Sequence, residues 1–444
     1  MKNLINSWLL IAIVSVMLTS CLGDDDFTTD DWNLKNAQIM TFTLSNDSIA
    51  GLASVVFTID QINGKIFNQD SMPFGTAIDE KVLCDLTFDI YSAGVQVMSQ
   101  ATGDTVFWTT SDSIDFSQPV IFKVYAADAE TTKEYEAWIN IHQVNPDSMV
   151  WDNFLNLAEG QVFEEMKAVV SADTYYVYVK ESGVAKLFKS GSSVFEFSET
   201  ALSGFPENAV ISSVTECNTF IYVIDEDGKL YFSENGATWY ETDAVGIKTI
   251  LGSHLNNNAY SDLCCIADIN DTLKFYTYNL DKGQTAGDEV PENFPITGFS
   301  SVAYEIRHFQ HLILASGRDT NGNLTNTAWD TMDGLRWVPL TNKWSPFVSS
   351  EGASIARYDN LLFLIGGFGE DGNAIDTSYF SKDNGVTWRD TVFSPIDYKS
   401  RGFSTVTVDK DNYMFLFGGK ETKDGSMINE VWRGRVNRLG FKED

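Results

Sequence analysis

The sequence predicts an all-β chain in two parts, a β-sandwich followed by a six-bladed β-propeller. Two observations predict it. Six apolar strands end at Val179, Ile224, Ala267, Ala315, Ile365 and Phe417, spaced by 43 to 52 residues. A fixed period of this length is the mark of a repeat architecture. The residues before the repeat show short alternating segments parted by turn residues, with no long helical period. At 444 residues the chain is long enough for two domains, and the text divides near residue 146.

The opening segment reads as a processing signal spanning residues 1–20. Lys2 precedes a mostly apolar run from Leu4 to Leu18, and Leu18-Thr19-Ser20-Cys21 sets a cysteine where that run ends. The run is shorter than the roughly 20 residues a membrane-spanning helix needs. The ending resembles the lipobox of bacterial lipoproteins, which implies a lipid chain on Cys21 and an outer-membrane lipid as its partner. An acidic tether, residues 21–32, follows with Asp24-Asp25-Asp26. That cluster resembles the export tag of Bacteroidetes surface lipoproteins, so the expected address is the cell envelope, on the outer membrane and exposed at the surface.

The sandwich is expected over residues 33–145, with strands Gln38–Leu44, Ser54–Ile59, Leu83–Ile90, Thr105–Thr109, Val120–Ala126 and Glu134–His142. Its clearest piece runs from Phe122 to Ile141, with an acidic turn, Thr131-Thr132-Lys133 and a second alternating strand. That piece resembles the last hairpin of immunoglobulin-like modules that follow lipoprotein signals in Bacteroidetes.

The propeller is expected over residues 146–444. Its last three units align closely. Each ends an apolar strand in Ser316-Gly317, Gly366-Gly367 or Gly418-Gly419, and each then reaches Asn321-Gly322, Asp371-Gly372 or Asp424-Gly425. An aromatic strand follows, at Trp329, Tyr379-Phe380 and Trp432. A single such sheet cannot cover its own two faces, so neighbours must stack around an axis. Over residues 299–438 this pattern resembles kelch-type and galactose-oxidase-like propellers, and the first three units are more degenerate. Ser381-Lys-Asp383-Asn-Gly385-Val-Thr387-Trp388 resembles the Asp-box of sialidase-like propellers. Glu234-Asn-Gly236-Ala-Thr238-Trp239 and Asp333-Gly334-Leu-Arg-Trp337 are weaker copies. The Asp-box implies a structural hairpin between the two outer strands of a blade. Trp151 precedes Trp239 by two units, with Val194–Phe197 as the strand between, and too few residues follow Val431–Leu439 for a fourth strand. Residues 149–153 are therefore expected to close the ring by completing the last blade, which removes both sheet edges.

Composition narrows function more than it names it. With 62 acidic and 30 basic residues the net charge is −32, which repels phosphate backbones and excludes nucleic acid as a partner. Arginine is absent before Arg307, whereas the resemblance to sialidases implies a carboxylate-binding arginine triad that begins in the first blade, so the sequence speaks against that enzyme. Galactose-oxidase-like copper needs converging histidines, and His142, His254, His308 and His311 are the whole supply. No cofactor is expected. Cys264 and Cys265 sit in an apolar strand pattern, where successive side chains face opposite ways, and read as structural thiols. No Gly-x-Ser-x-Gly elbow, phosphate loop or Cys-x-x-Cys spacing appears.

The remaining candidate is a binding face built from inter-blade loops and from loops after each second strand. It would draw on Trp344, Phe347, Tyr398, Lys399 and Arg401 from the first set. Arg318, Asp319, Phe368 and Lys420 would come from the second. Of these Trp344, Tyr398, Arg401, Arg318 and Phe368 are the expected ligand contacts, since aromatics beside cations suit a glycan or a partner protein. The chain as a whole resembles the two-domain lipoproteins of Bacteroidetes that carry a domain of unknown function. The resemblance implies a surface recognition or scaffold protein. The alternative is a glycan-active enzyme, a hydrolase or lyase, on the propeller.

Overall fold

The computed structural model describes residues 33–440, except 80, 90–91, 101–102, 256–260 and 392–396. The signal segment, Cys21 and the Asp24–Asp26 cluster lie outside the described residues. The chain separates into two compact units, residues 1–146 and 147–444. Among the described residues no helix is long and apolar enough to cross a membrane.

The first unit is two sheets around one apolar core. Ile39–Ser45, Val82–Phe88 and Ser113–Ile114 form a three-stranded sheet. Six strands form the other, in the order Phe57–Asp60, Lys65–Asn68, Thr132–Ala137, Val120–Tyr125, Gly94–Ser99, Thr105–Phe107. One pair, Lys65–Asn68 with Thr132–Ala137, is parallel. Period-two burial drives both sheets: Phe42, Leu44, Val82, Cys84, Val95, Val97, Val120 and Phe122 all point into the shared core. The strand expected over Glu134–His142 instead spans Thr132–Ala137, two residues earlier at its start and five at its end. Gly94–Ser99, Lys65–Asn68 and Ser113–Ile114 were not anticipated; the last two are short, and the glycine at the head of the first obscured its alternation.

The second unit is a propeller of four-stranded antiparallel sheets, six among the described residues. The inner strands, in order, are Glu165–Ser171, Thr215–Cys217, Ile247–Leu255, Ser300–Ile306, Ser354–Tyr358 and Thr405–Val408. Each touches the next, and the sixth touches the first. The apolar strands that marked the repeat are the second strands: Thr174–Glu181, Phe220–Ile224, Ser261–Asp268, Phe309–Ala315, Leu361–Ile365 and Met414–Phe417. Between successive sheets lies one apolar cluster each. Phe415 and Phe417 meet Tyr175 and Val177 across the sixth and first sheets. Leu251, Cys264 and Phe275 meet Leu312 and Trp329 across the third and fourth. Cys265 faces the other way, into the cluster shared with the second sheet. Cys84, Cys217, Cys264 and Cys265 are buried free thiols, and burial pushes the last two well above the ordinary thiol range.

Met149–Asn156 pairs antiparallel with Glu430–Val436 and is the outer strand of the sixth sheet. Trp151 lies flat over Gly434, where a Cβ would strike its ring, so glycine is required there. The strand is eight residues rather than the five expected. The outer strand of the first sheet is Ser198–Thr200, not Val194–Phe197. Phe195 and Phe197 are drawn off the strand into the aromatic cluster around Tyr175 and Phe415. The last strand ends at Val436 and a 3-10 turn over Asn437–Gly440 replaces the rest.

The three tryptophan hairpins join the third and outer strands of their sheets. In the fifth sheet Asp383 accepts from Thr387 N at 2.8 Å and from the Thr387 hydroxyl at 2.6 Å. Trp388 Nε1 donates to Gly385 O at 3.0 Å, and its ring meets Phe347 edge-on at 5.4 Å. Asn235 and Asp333 do the same for their hairpins, each accepting two backbone N–H groups at 2.8–2.9 Å. Trp239, Trp337 and Trp388 all enter the cluster shared with the preceding sheet. The hairpins thus staple neighbouring sheets together.

Candidate functional site

All six inner strands begin at the same end of the ring, and there they surround a cavity of about 540 Å³. Its wall holds the starts of these strands and the segments that lead into them, with the loop after the last second strand as a side. The volume suits a small ligand or the end of a larger one. Apolar surface comes from Leu251, Phe299, Phe403 and Met427, and hydroxyls from Ser212, Thr215, Ser301 and Thr405.

The two halves of the rim are built differently. In the fourth to sixth sheets the lead-in segments are zipped by backbone bonds: Gly352 N donates to Gly298 O at 2.6 Å, and Phe403 N to Gly352 O at 2.7 Å. Loops after the second strands tie in as well, Gly317 N to Ser350 O at 2.7 Å and Gly367 N to Arg401 O at 3.1 Å. Gly352 has φ of +71°, a left-handed conformation that favours glycine, and a Cβ there would press the Phe403 ring at 3.0 Å. The first three sheets line the cavity with residues that include Lys167, Ser212 and Lys248.

Charge at the mouth runs against the charge of the chain. The wall carries Lys167, Lys248, Lys420 and Lys423 against Glu165 and Asp424, in a protein with twice as many acids as bases. Lys423 binds buried Glu351 at 2.6 Å, and Lys248 lies 3.8 Å from Asp268. Lys167 and Lys420 have no ion pair or side-chain hydrogen bond among the described residues. Lys167 is partly buried on the inner strand Glu165–Ser171, between Met166 and Ala168. Burial pushes its ammonium below the usual lysine range.

None of the five expected ligand contacts lines this cavity. Arg401 is 1% exposed. Its guanidinium donates to Lys399 O at 2.9 Å, Gly418 O at 3.2 Å and Glu430 at 3.0 Å, and stacks over Tyr398 at 4.1 Å. It is a core cation that joins the last sheet's loops, buried out of a ligand's reach. Tyr398 is held between that guanidinium and the edge of Trp432. Phe368 and Phe347 are buried outright. Arg318 is engaged by Glu351, with bonds of 2.9 and 2.7 Å. Burial alone would raise the Glu351 carboxyl, but Arg318 and Lys423 hold it below its ordinary range. Trp344 is 81% exposed, with Lys343 over its ring at 4.9 Å. Its loop is bonded to the Trp388 hairpin, away from the cavity, through Asn342 N to Val386 O and Trp388 N to Ser345 O. Of the wider set only Lys420 reaches the mouth.

Lys167, the residue that sequence reasoning missed, had one signal: a lysine inside an otherwise apolar strand start, Met166-Lys167-Ala168-Val169-Val170. The histidines are scattered. His254 is buried in the third sheet, His308 is exposed in a turn, and His311 binds Asp330 at 3.0 Å. Among the described residues no group of three His, Cys, Asp or Glu is placed to hold a metal.

Residues 145–444 match the DUF6242 beta propeller domain, and residues 29–139 match the N-terminal domain of DUF6242, a domain of unknown function. No curated protein matches. One solved structure, titled "Structure of YjhT", is similar at 13% identity and a TM-score of 0.48, over 63% of this chain and 97% of its own.

Proposed function

The chain belongs to the DUF6242 family, and from that premise we propose a lipid-anchored surface recognition protein that takes its ligand at the propeller's channel mouth. The observation that carries the binding reading is the cavity itself. All six sheets contribute to it, and hydroxyls, apolar side chains and unpaired lysines converge there. In this reading the propeller has six blades closed by its first strand, and an immunoglobulin-like sandwich precedes it as a spacer. A glycan end or a loop of a surface protein fits a mouth of this size and mixed polarity. The enzyme alternative has no observation in its favour.

The anchor reading rests on Cys21 at the end of the apolar run, and the surface reading on Asp24-Asp25-Asp26. Cys21→Ala is expected to leave the protein unlipidated and soluble in the periplasm, as read by fractionation and mass spectrometry. A variant still in the outer-membrane fraction would remove the anchor from this account. Replacing the three aspartates with alanine is expected to cut accessibility to external protease while lipidation persists.

A further inference from the structure

We propose that the channel mouth takes an organic anion whose carboxylate or phosphate-type group docks on Lys167. This rests on the reading of the mouth as the ligand site and adds the ligand's charge and its anchoring residue.

Lys167 is a cation without a counter-charge on the wall of a cavity. A lysine drawn partly out of water ordinarily offsets the lost hydration with an opposite charge or with hydrogen bonds. Arg401 has Glu430, Arg318 and Lys423 share Glu351, and Lys186 sits 2.6 Å from Glu181. Lys167, partly buried on the cavity wall, has no such partner in a protein with acids to spare. Its strand neighbours bury their side chains against the sixth sheet, Met166 and Ala168 alike. By period-two alternation Lys167 therefore faces the gap between the first and second sheets, where Ser212 and Thr215 also border the cavity. Lys420, on the loop after the second strand of the neighbouring sixth sheet, is the second lysine there without an ion pair. Two cations without counter-charges, facing one cavity beside hydroxyl donors, make a site that an oxyanion completes. The apolar wall of Leu251, Phe299 and Phe403 favours an organic body over a bare ion. The negative field of the rest of the chain leaves the mouth as the place where an anion is welcome.

Burial favours the neutral form of Lys167. Anion binding needs the ammonium, so affinity falls as pH rises through a value below that of ordinary lysines, and a bound anion draws that value back up.

The test uses citrate and inorganic phosphate as probes at constant ionic strength, with glycerol as the neutral control, followed by calorimetry on the mature protein. Wild type is expected to bind at least one of the two anions, the preferred one identifying the group. Lys167→Met is expected to weaken that binding tenfold or more, and Lys343→Met, remote from the mouth, to leave it unchanged. A second readout needs no variant. Reductive methylation by formaldehyde, followed by peptide mass spectrometry, is expected to modify Lys167 in the free protein and to spare it when the anion is present. Unchanged affinity in Lys167→Met, or no binding of either anion at tens of millimolar, would overturn the proposal. Protection of Lys167 by a neutral sugar but not by an anion would also overturn it, while leaving the mouth as the ligand site.

Discussion

The two halves of the propeller solve one packing problem with different chemistry. In the fourth to sixth sheets, glycines admit close backbone contact between neighbouring sheets, and Arg318, Arg401 and their carboxylates lock the loops behind the rim. In the first three sheets arginine is absent, and the contacts run through tyrosines: Tyr175 meets Phe415 and Phe417, Tyr178 stacks on Phe205, and Tyr222 and Tyr278 fill the cluster between the second and third sheets. Both halves bring side chains to the mouth, Phe299, Ser301, Phe403 and Lys420 from the regular half and Lys167, Ser212 and Lys248 from the irregular one. They differ in how the rim behind those side chains is held, by backbone bonds between lead-in segments in the one and by aromatic packing in the other.

If that contrast holds, the regular half fails first when its buried chemistry is cut. Arg401→Met leaves Glu430 without its guanidinium and Gly418 O without its donor, and is expected to cost about 3–5 kcal/mol in denaturant unfolding. A loss below about 1 kcal/mol would mean that Arg401 is not the lock described. A matched pair compares the two rims directly. Gly352→Ala forces a side chain into left-handed backbone against Phe403 and is expected to cost about 1–3 kcal/mol. Ser212→Ala, on the opposite rim and exposed, should change stability by less than about 0.5 kcal/mol. Equal effects would erase the distinction.

A smaller loss than that of Arg401 or Gly352 belongs to the hairpin staple. Burial would raise the Asp383 carboxyl, but hydrogen bonds from Thr387 and Ser381 hold it below its ordinary range. A carboxylate lowered on folding adds stability that is complete above its unfolded value, about 3.9, and is lost as pH falls through the folded value. Asp383→Ala is therefore expected to cost about 1 kcal/mol at neutral pH, a figure already reduced for solvent screening of an exposed group. That deficit should shrink toward zero in acid. A deficit independent of pH would assign the effect to shape rather than charge.

What could be read from the sequence follows the same division. The six second strands were legible because their apolar runs recur at a spacing of 43 to 52 residues, most of them followed by turn residues, and the Trp388 hairpin because its aspartate, glycine and threonine have fixed tasks. Val194–Phe197 misled because two phenylalanines in an extended stretch look like a strand, whereas Phe195 and Phe197 serve an aromatic cluster. The expected ligand contacts misled for a related reason. Arginine and aromatic residues in loops signal recognition only when their donors and faces are free, and Arg401, Phe368 and Arg318 are consumed by partners more than 16 positions away in sequence. Lys167 was hidden because a single lysine in a strand says nothing of which cavity it borders until the ring is closed.

The central claim is that ligand enters at the channel mouth rather than at the outer loops. The direct measurement is binding on a glycan and surface-protein array by wild type, Ser212→Trp and Trp344→Ala. Ser212 is exposed at the rim, so an indole there obstructs the mouth without entering a core. The account predicts that hits seen with wild type vanish in Ser212→Trp and persist in Trp344→Ala. Hits that survive the obstruction and disappear with Trp344, or no hit with wild type, would contradict it.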